Sequence, residues 1–402
     1  MQKYITDTVR NNLKSILSPL TRPQQKAVSE VCRGLLGSAG PILRHLAQNP
    51  GISAKKQGEK YARHLANTDL TPAVERVVLR HAVREVKRYS IIAYDLSDIA
   101  KEHAEKMEKL HRVFDGSKRK TSNGYTLHGI GINQILVRAR IHDGDTEYLP
   151  QVRQRLIVEL VAALPGRRLS DGSWKPYGVG TFDRGNDDRQ FFLYLRSQVN
   201  LDFIARLKAN RTVVDRKSGV LSKVSDLRAG QYEVFLLDDR NKVDKRFVYR
   251  LVIADHLPDK EPIRLLTTLP KQRFSQHQIV RMYLERWGVE NSFKRIKQKF
   301  ALERIRVIKE QEFRNLVALT LFCLAMATIV FHRLQQLNTD LIAGLLLYYK
   351  RFLRQRSLSC NLDSFITFLQ KNMTPLVFRN HDPPPGQLTL LPENELRKLG
   401  SF

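Results

Sequence analysis

The sequence of 402 residues predicts an α/β fold with helical N- and C-terminal regions and a β-rich segment. Apolar residues recur at helical spacing throughout residues 1–88, which is typical of packed helices. From residue 89, β-branched apolar runs alternate with helical patterns, as in a layered α/β domain. Because 42% of the residues are hydrophobic, the chain can bury substantial cores, and a disordered basic tail is excluded.

Charge and cysteine content narrow the class of protein further. The sequence has 68 Lys and Arg residues against 40 Asp and Glu residues, a net charge of +28 that attracts polyanions, above all a nucleic-acid backbone. The three cysteines, Cys32, Cys323 and Cys360, are too few and too far apart for a disulfide framework or a thiolate zinc site. We therefore expect reduced thiols and a cytoplasmic protein.

Residues 1–88 form the first predicted unit, a helical DNA-binding region that prolines divide into short helices. A solvated basic face explains its positive charge equally well. Residues 89–209 form the first part of the predicted core. Its elements are a strand at 90–99, one or two strands within 125–141, a helix at about 149–164, a strand at 177–182, a helix near 189–199 and a strand at 203–207.

The second half of the chain begins with a predicted β-rich insertion at 210–270, where apolar runs are separated by polar turns. The core resumes at 271–335, with one long helix over 275–300 and an apolar helix over 312–334. The apolar run within this last helix is shorter than the roughly 18 to 20 residues that span a bilayer, so we expect it to be buried. Residues 336–402 are predicted as a helical C-terminal region with a basic cluster at 350–356 and prolines at 383–385.

Three acidic residues lie on core elements: Asp95 after the first strand, Asp183 after the fourth strand and Glu290 in the long helix. Only the fold can bring them together. Carboxylate oxygens suit Mg²⁺ or Mn²⁺, and two such ions about 3.5 to 4 Å apart can activate a water or a 3′-OH for phosphoryl transfer. For any single acid, a surface salt bridge or a helix cap is the more common role.

Neighbouring acids offer alternatives. They are Asp98 for the first position and Asp187 or Asp188 for the second. Glu285 is set aside because, at about 100° per residue, it points about 140° away from Glu290 on a helix.

The long helix carries a stripe of four functional side chains, Tyr283, Arg286, Glu290 and Lys297. On a continuous helix these four project within an arc of roughly 60°. Arg can bind a phosphate with two hydrogen bonds, Lys can act as a point charge and Tyr can donate a hydrogen bond. An amphipathic helix with ordinary Arg and Glu pairing explains the same pattern without function.

The spacing Tyr-x2-Arg-x3-Glu-x6-Lys resembles the signature of one group of DDE transposases from bacterial insertion sequences. Asp95 in AYDLSDI resembles the first acid of that family, and Asp183 in its Asp-Arg-Gly turn resembles the second. The resemblance covers roughly residues 90–335. It implies an RNase H-like catalytic core that the β-rich insertion interrupts.

The resemblance also implies the roles of individual residues. It makes Asp95, Asp183 and Glu290 the catalytic and metal-binding residues, for two Mg²⁺ ions that Mn²⁺ could replace. The DNA contacts expected with it are Tyr283, Arg286, Lys294, Lys297 and Arg184.

The implied function is cut-and-paste transposition, in which a DNA transposase binds the ends of a mobile element, cleaves the strands and transfers them. Its implied partners are double-stranded DNA and a second copy of the chain, at the bacterial nucleoid and without a membrane. Two alternatives remain: a DNA-binding protein that has lost cleavage, and an RNase H-like nuclease that cuts without joining.

The insertion departs from the family pattern in one respect. Relatives stack a flipped base on tryptophan while they form a hairpin end, but Trp174 and Trp287 are the only tryptophans here. Other aromatic residues could stack a base instead, although on strands they belong to a core more often. These residues are Tyr232, Phe235, Phe247 and Tyr249.

Overall fold

The computed structural model describes residues 2–37, 40–46, 51–115, 119–255, 261–337 and 361–372, which form a mixed α/β fold. Its helices are α1 (Gln2–Leu17), α2 (Arg22–Leu36), α3 (Ala54–Ala66), α4 (Thr71–Arg84), α5 (Leu149–Val161), α6 (Arg189–Tyr194), α7 (Gln276–Leu284), α8 (Trp287–Lys299), α9 (Glu310–Leu337) and α10 (Leu362–Asn372). Its strands are β1 (Ile91–Ala100), β2 (His111–Asp115), β3 (Lys120–Ile132), β4 (Ile135–Ile141), β5 (Gly166–Arg168), β6 (Trp174–Pro176), β7 (Val179–Phe182), β8 (Asp202–Arg206), β9 (Thr212–Asp215), β10 (Leu221–Lys223), β11 (Gly230–Leu237), β12 (Val243–Ala254) and β13 (Ile263–Thr267). The predicted α/β class is confirmed.

The four N-terminal helices share one hydrophobic core with α9. Asn315 on α9 is fully buried, and its amide makes three hydrogen bonds of 2.6 to 2.8 Å to the backbone of residues 65–70. Glu75 on α4 accepts two hydrogen bonds from Arg140 on β4, at 2.8 and 2.7 Å. These contacts hold the helical region against α9 and the sheet, because each buried polar group is satisfied only when both parts are in place.

Helix α9 is long and apolar enough, by length and composition, to cross a membrane. However, 94% of its apolar window is buried inside the fold, against α3, α4 and β4 among others. Because it is buried, α9 is a core helix, and the prediction of a buried helix is confirmed.

Eleven of the described strands form one sheet in the order β10-β9-β11-β12-β13-β8-β7-β1-β3-β2, with β4 also paired to β3. At one end of the sheet, β3 is antiparallel to β1, β2 and β4, whereas β1, β7 and β8 run parallel to one another. Parallel neighbours need crossover connections, and α5 lies in the connection from β4 to β7. The arrangement is consistent with the nuclease-like core of a DDE transposase.

The segment predicted as an insertion, 210–270, contributes β9 to β13 to this same sheet. Strand β13 pairs antiparallel with β8 and thereby joins the segment to the central strands. The apolar runs predicted β11, β12 and β13, but β9 and β10 have only four and three residues and were missed. The division of the chain into domains stays a prediction.

The helix predicted over 275–300 is two helices, α7 and α8, so the prediction of one continuous helix is wrong. At their junction the backbone makes tighter i to i+3 hydrogen bonds, from Arg286 N to Tyr283 O at 3.1 Å and from Gly288 N to Glu285 O at 3.0 Å. A Cβ atom on Gly288 would lie 3.2 Å from the Cα atom of Gln134. Glycine, the weakest helix former after proline, thus allows the junction to approach the turn between β3 and β4.

Helix α8 packs on the face of the sheet where Gly129 pairs with Asp95. A Cβ atom on Gly129 would lie 2.2 Å from Phe293 of α8, whereas one on Gly131 would meet Val289 at an ordinary 3.6 Å. We therefore expect Gly129→Ala to lower the free energy of unfolding by about 1 to 3 kcal/mol through overpacking. Urea unfolding measures this, with Gly131→Ala as the control of smaller effect. Equal losses of unfolding free energy in the two variants would contradict the described packing of α8 against Gly129.

The predicted C-terminal region is described only in part. Helix α10 lies against α8 and α9, where Arg295 forms an ion pair with Asp363 at 3.1 Å. The basic cluster at 350–356, the prolines at 383–385 and Cys360 lie outside the described residues. Cys32 and Cys323 are buried free thiols.

Candidate active site

The register of two parallel strands brings Asp95 and Asp183 together. Ala93 on β1 pairs with Thr181 on β7, and each aspartate lies two residues further along its strand direction. Residues at the same level of neighbouring strands point to the same face and lie one strand spacing apart, about 4.8 Å between backbones. Two acids separated widely in sequence therefore meet at one edge of the central strands.

Asp95 is a largely buried carboxylate, 14% exposed at its side chain, and its environment disfavours its charge. Burial, together with the nearby Asp183 and Glu290, raises the pKa of Asp95 to about 6, although the Arg286 guanidinium opposes this shift. The backbone N–H of Leu96 donates a hydrogen bond to Asp95 Oδ1 at 3.0 Å. A further cation beside these acids would stabilise the ionised form.

Arg286 connects the acid of the strand to the acid of the helix. Its Nη1 donates to Asp95 Oδ2 at 3.0 Å, and its Nη2 donates to Glu290 Oε1 at 2.5 Å. The Arg286 side chain is only 8% exposed, and Glu290, 46% exposed, forms the open side of the group. Asp95, Glu290 and Arg286 thus form one connected cluster.

Tyr283 lies next to Arg286 of this cluster and is buried. Its ring centroid is 5.6 Å from the guanidinium carbon of Arg286. Burial raises the pKa of Tyr283, so its phenol stays protonated at neutral pH. In this arrangement Tyr283 packs against Arg286, and a contact with DNA would require the site to open.

Asp183 directly precedes a short turn, 184–186, that follows β7, and its backbone carbonyl accepts a hydrogen bond from Asn186 N at 3.1 Å. Asn186 Nδ2 donates to Asp183 Oδ1 at 2.5 Å, and Asn186 in turn accepts a hydrogen bond from Arg153 at 2.9 Å. A Cβ atom on Gly185 would lie 3.3 Å from the Asp183 carboxylate, so glycine keeps the turn close to it. The second acid is therefore held by a buried polar network.

The alternative acids have other partners. Asp98 accepts a hydrogen bond from Thr126 at 3.1 Å. It lies three positions after Asp95 on β1, so strand alternation directs it to the opposite face of the sheet. Asp187 forms an ion pair with Arg211, and Asp188 caps α6 through the backbone N–H groups of residues 190 and 191. Each of these contacts explains its acid without catalysis.

The other three predicted phosphate-binding cations are accessible to different degrees. The Lys297 ammonium lies 3.8 Å from Glu303, and its side chain is 28% exposed. Lys294 is exposed. Arg184 lies 4.0 Å from Glu261 and is 48% exposed. These cations are weakly paired and accessible, unlike the buried Arg286.

A divalent cation suits the chemistry of this site, which has three carboxylates from β1, the end of β7 and α8. Across the parts of the chain that the structure describes, no three His, Cys, Asp or Glu side chains converge on one point as metal ligands. The cluster already holds a cation, since the Arg286 guanidinium lies between Asp95 and Glu290. The three carboxylates are donors of the type that divalent cations prefer, and in the described arrangement Arg286 occupies the position between two of them.

The aromatic residues of the 210–270 segment differ in accessibility. Tyr249 is buried in the core, and Phe247 packs under Arg196 with 4.9 Å between the ring centroid and the guanidinium carbon. Tyr232 donates its hydroxyl to Arg228 O at 2.9 Å, and Phe235 is half-buried. Both tryptophans are more accessible, with Trp174 50% and Trp287 54% exposed.

Sequence reasoning missed the residues that support the second acid. Arg153 on α5 is buried, binds Asn186 and Asp188 at 2.9 Å each, and lies over the Phe191 ring at 3.7 Å. Another buried arginine that was missed, Arg189, does not contact this network but joins α6 to Asp244 on β12 at 2.9 Å. Their only signal in the sequence is a basic residue on the apolar face of a helix.

Comparison with known proteins gives a family match and several matches among solved structures. The family model described as "Transposase DDE domain" matches residues 87–326, more than half of the chain. No curated protein matches significantly. A cryo-EM structure of the piggyBac transposase synaptic complex with hairpin DNA aligns at 9% identity and a TM-score of 0.45, over 99% of this chain and 84% of that chain, which is too distant to support functional conclusions. The matched range contains all three candidate acids, and the chain belongs to the transposase DDE domain family.

Proposed function

We propose that this chain is a DNA transposase of the Tyr-Arg-Glu-Lys group, which binds the ends of a bacterial insertion sequence, cuts them and transfers the strands to target DNA. The observation that carries the proposal is the cluster of Asp95, Arg286 and Glu290, with Asp183 at the same level of the neighbouring strand. Membership of the DDE family implies a phosphoryl transferase that cleaves DNA.

Asp95, Asp183 and Glu290 are the residues that would hold divalent cations, which the DDE family generally uses; we propose two Mg²⁺ ions, with Mn²⁺ as a substitute. Bound there, the ions would activate a water or a 3′-OH and stabilise the leaving oxygen. The contribution of the protein is to position the acids that hold the ions. The Asn186 amide orients the second acid, and the turn at Gly185 keeps that acid at the end of β7.

The charge of the chain supports DNA as its partner. Residues 271–314 contain 12 Lys and Arg residues against five Asp and Glu residues, and Arg184, Lys294 and Lys297 are exposed or partly exposed. We assign contact with double-stranded DNA to these three cations and to the basic faces of α1 to α4. A homodimer would bring two ends together, in the cytoplasm at the nucleoid.

We expect Lys297→Ala to reduce strand cleavage or joining by about 10²-fold, because a misplaced phosphate disrupts alignment at the reacting atoms. Overall DNA affinity should fall only modestly, and the slope of log affinity against log salt should shrink by about one unit. Filter binding and gel assays on the same DNA measure both effects. Lys271→Ala, which removes an equal charge from an exposed turn, is the control. Normal cutting and joining by Lys297→Ala would contradict its role.

The experiment that tests the proposed function uses labelled DNA fragments from either side of the gene, incubated with the chain and Mg²⁺. A joined product is the expected result. Cleaved but unjoined fragments would favour a nuclease, and binding without cleavage would favour a DNA-binding protein that has lost its chemistry. Terminal inverted repeats in the flanking DNA would independently support the mobility of the DNA element that carries the gene.

A further inference from the structure

Arg286 is a buried cation placed between two carboxylates that the proposed function assigns to metal binding. Its two terminal nitrogens reach Asp95 and Glu290 at 3.0 and 2.5 Å, one acid from the sheet and one from α8. A guanidinium and a divalent cation both stabilise grouped carboxylates, and they compete when they need the same oxygens.

One feature distinguishes this group from a purely structural clamp: the two ends of the bridge differ in exposure. The Asp95 side chain is 14% exposed, whereas that of Glu290 is 46% exposed. Exchange of partners can therefore begin from the Glu290 side.

We propose that Arg286 acts as a counterion which occupies the acid cluster in the DNA-free chain and transfers to a phosphate of the DNA end when a divalent cation binds. Arginine is suited to this exchange, since its planar fork makes paired hydrogen bonds to carboxylate and phosphate alike. The inference rests on the proposed function for the identity of the metal ligands, but it concerns binding and not cleavage.

This exchange makes cation binding and DNA binding cooperative. Without DNA, the cation must displace Arg286 from its two carboxylates while the guanidinium gains no phosphate in exchange, so cation affinity is low. With a phosphate present, the displaced guanidinium gains a new partner, and by linkage the cation raises DNA affinity by the same factor. Such coupling limits metal loading to the complex in which a DNA end is correctly seated.

The test uses the full chain with Mn²⁺ as the only added metal. Electron paramagnetic resonance of the free ion measures the affinity. In the absence of DNA, Arg286→Gln should bind Mn²⁺ about 10-fold more tightly than the unmodified chain. The control Arg281→Gln removes the same charge from an exposed position on α7 and should change Mn²⁺ affinity less than about twofold. A short duplex with the flanking end sequence should then raise Mn²⁺ affinity about 10-fold in the unmodified chain and much less in Arg286→Gln.

Equal Mn²⁺ affinity in Arg286→Gln and the unmodified chain would overturn the counterion role, and so would an equal gain in the Arg281→Gln control. If circular dichroism shows that Arg286→Gln does not fold, Arg286→Lys replaces it. The Lys ammonium cannot bridge both acids as the planar guanidinium of Arg286 does. Mn²⁺ should therefore bind this variant at least about threefold more tightly than the unmodified chain. Failure of the proposed function is seen separately, as absence of cleavage by the unmodified chain while these binding differences persist.

Discussion

Glu290→Gln is expected to abolish strand cleavage while leaving the binding of DNA ends almost unchanged. The substitution keeps the size of the side chain and its ability to accept a hydrogen bond from Arg286, but it removes the charge of a metal ligand. Loss of a residue of this kind typically lowers the rate by a factor of about 10³ or more. A gel assay of cleavage and a binding titration on the same labelled DNA measure the two effects.

Glu285→Gln is the matched control for this prediction. Glu285 lies five residues earlier, is exposed, and lines a cavity with Gly131 and Gln134 instead of contacting the acid cluster. We expect its cleavage rate to be normal within about twofold, since most surface substitutions have small effects. Cleavage by Glu290→Gln at the unmodified rate in Mg²⁺ would remove Glu290 from the catalytic site.

Asp95→Asn is expected to inactivate cleavage as completely as Glu290→Gln. Asp95 lies at the centre of the cluster, where it accepts a hydrogen bond from Arg286 and where Asp183 and Glu290 both affect its ionisation. Because catalytic residues that act as a unit have non-additive effects, the double variant Asp95→Asn with Asp183→Asn should be scarcely less active than either single variant. Single-turnover cleavage of labelled DNA measures all three.

Asp98→Asn provides the comparison on the same strand. In the unmodified chain the Asp98 carboxylate accepts a hydrogen bond from the Thr126 hydroxyl and lies on the opposite face of the sheet. Cleavage by the variant should therefore remain within about threefold of normal. An inactive Asp98→Asn together with an active Asp95→Asn would assign the first catalytic acid to the other face of β1.

The local sequence predicted the site helix, but it did not predict the connections that give the site its form. The spacing of Tyr283, Arg286, Glu290 and Lys297 identified the relevant face of 275–300. It could not show that Arg286 binds Asp95, which lies 191 residues earlier, because that contact depends on how α8 packs on β1. The helix break at the junction was missed for the same reason, since the close approach of Gly288 to Gln134 is a tertiary feature.

Accessibility was the other property that the sequence could not supply. The stripe predicted Tyr283 and Arg286 as equivalent to Lys297 in contacting DNA, yet the first two are buried and the third is partly exposed. The long apolar pattern of α9 and the strands β11 to β13 were predicted well, because each carries enough residues for its period to be recognised. The short strands β9 and β10 lack that length. Their structure depends on pairing, since β9 pairs with β11 and β10 pairs with β9.

The central claim is that three acids far apart in sequence form one cation site, and cleavage of the polypeptide by bound iron tests it most directly. Fe²⁺ is substituted for Mg²⁺ in the complex with labelled DNA ends, ascorbate and peroxide are added, and the fragments of the chain are mapped. We expect backbone cuts close to Asp95, Asp183 and Glu290 together, all suppressed by excess Mg²⁺ and lost in Glu290→Gln. Cuts confined to one of these positions, or concentrated elsewhere in the chain, would contradict a shared site.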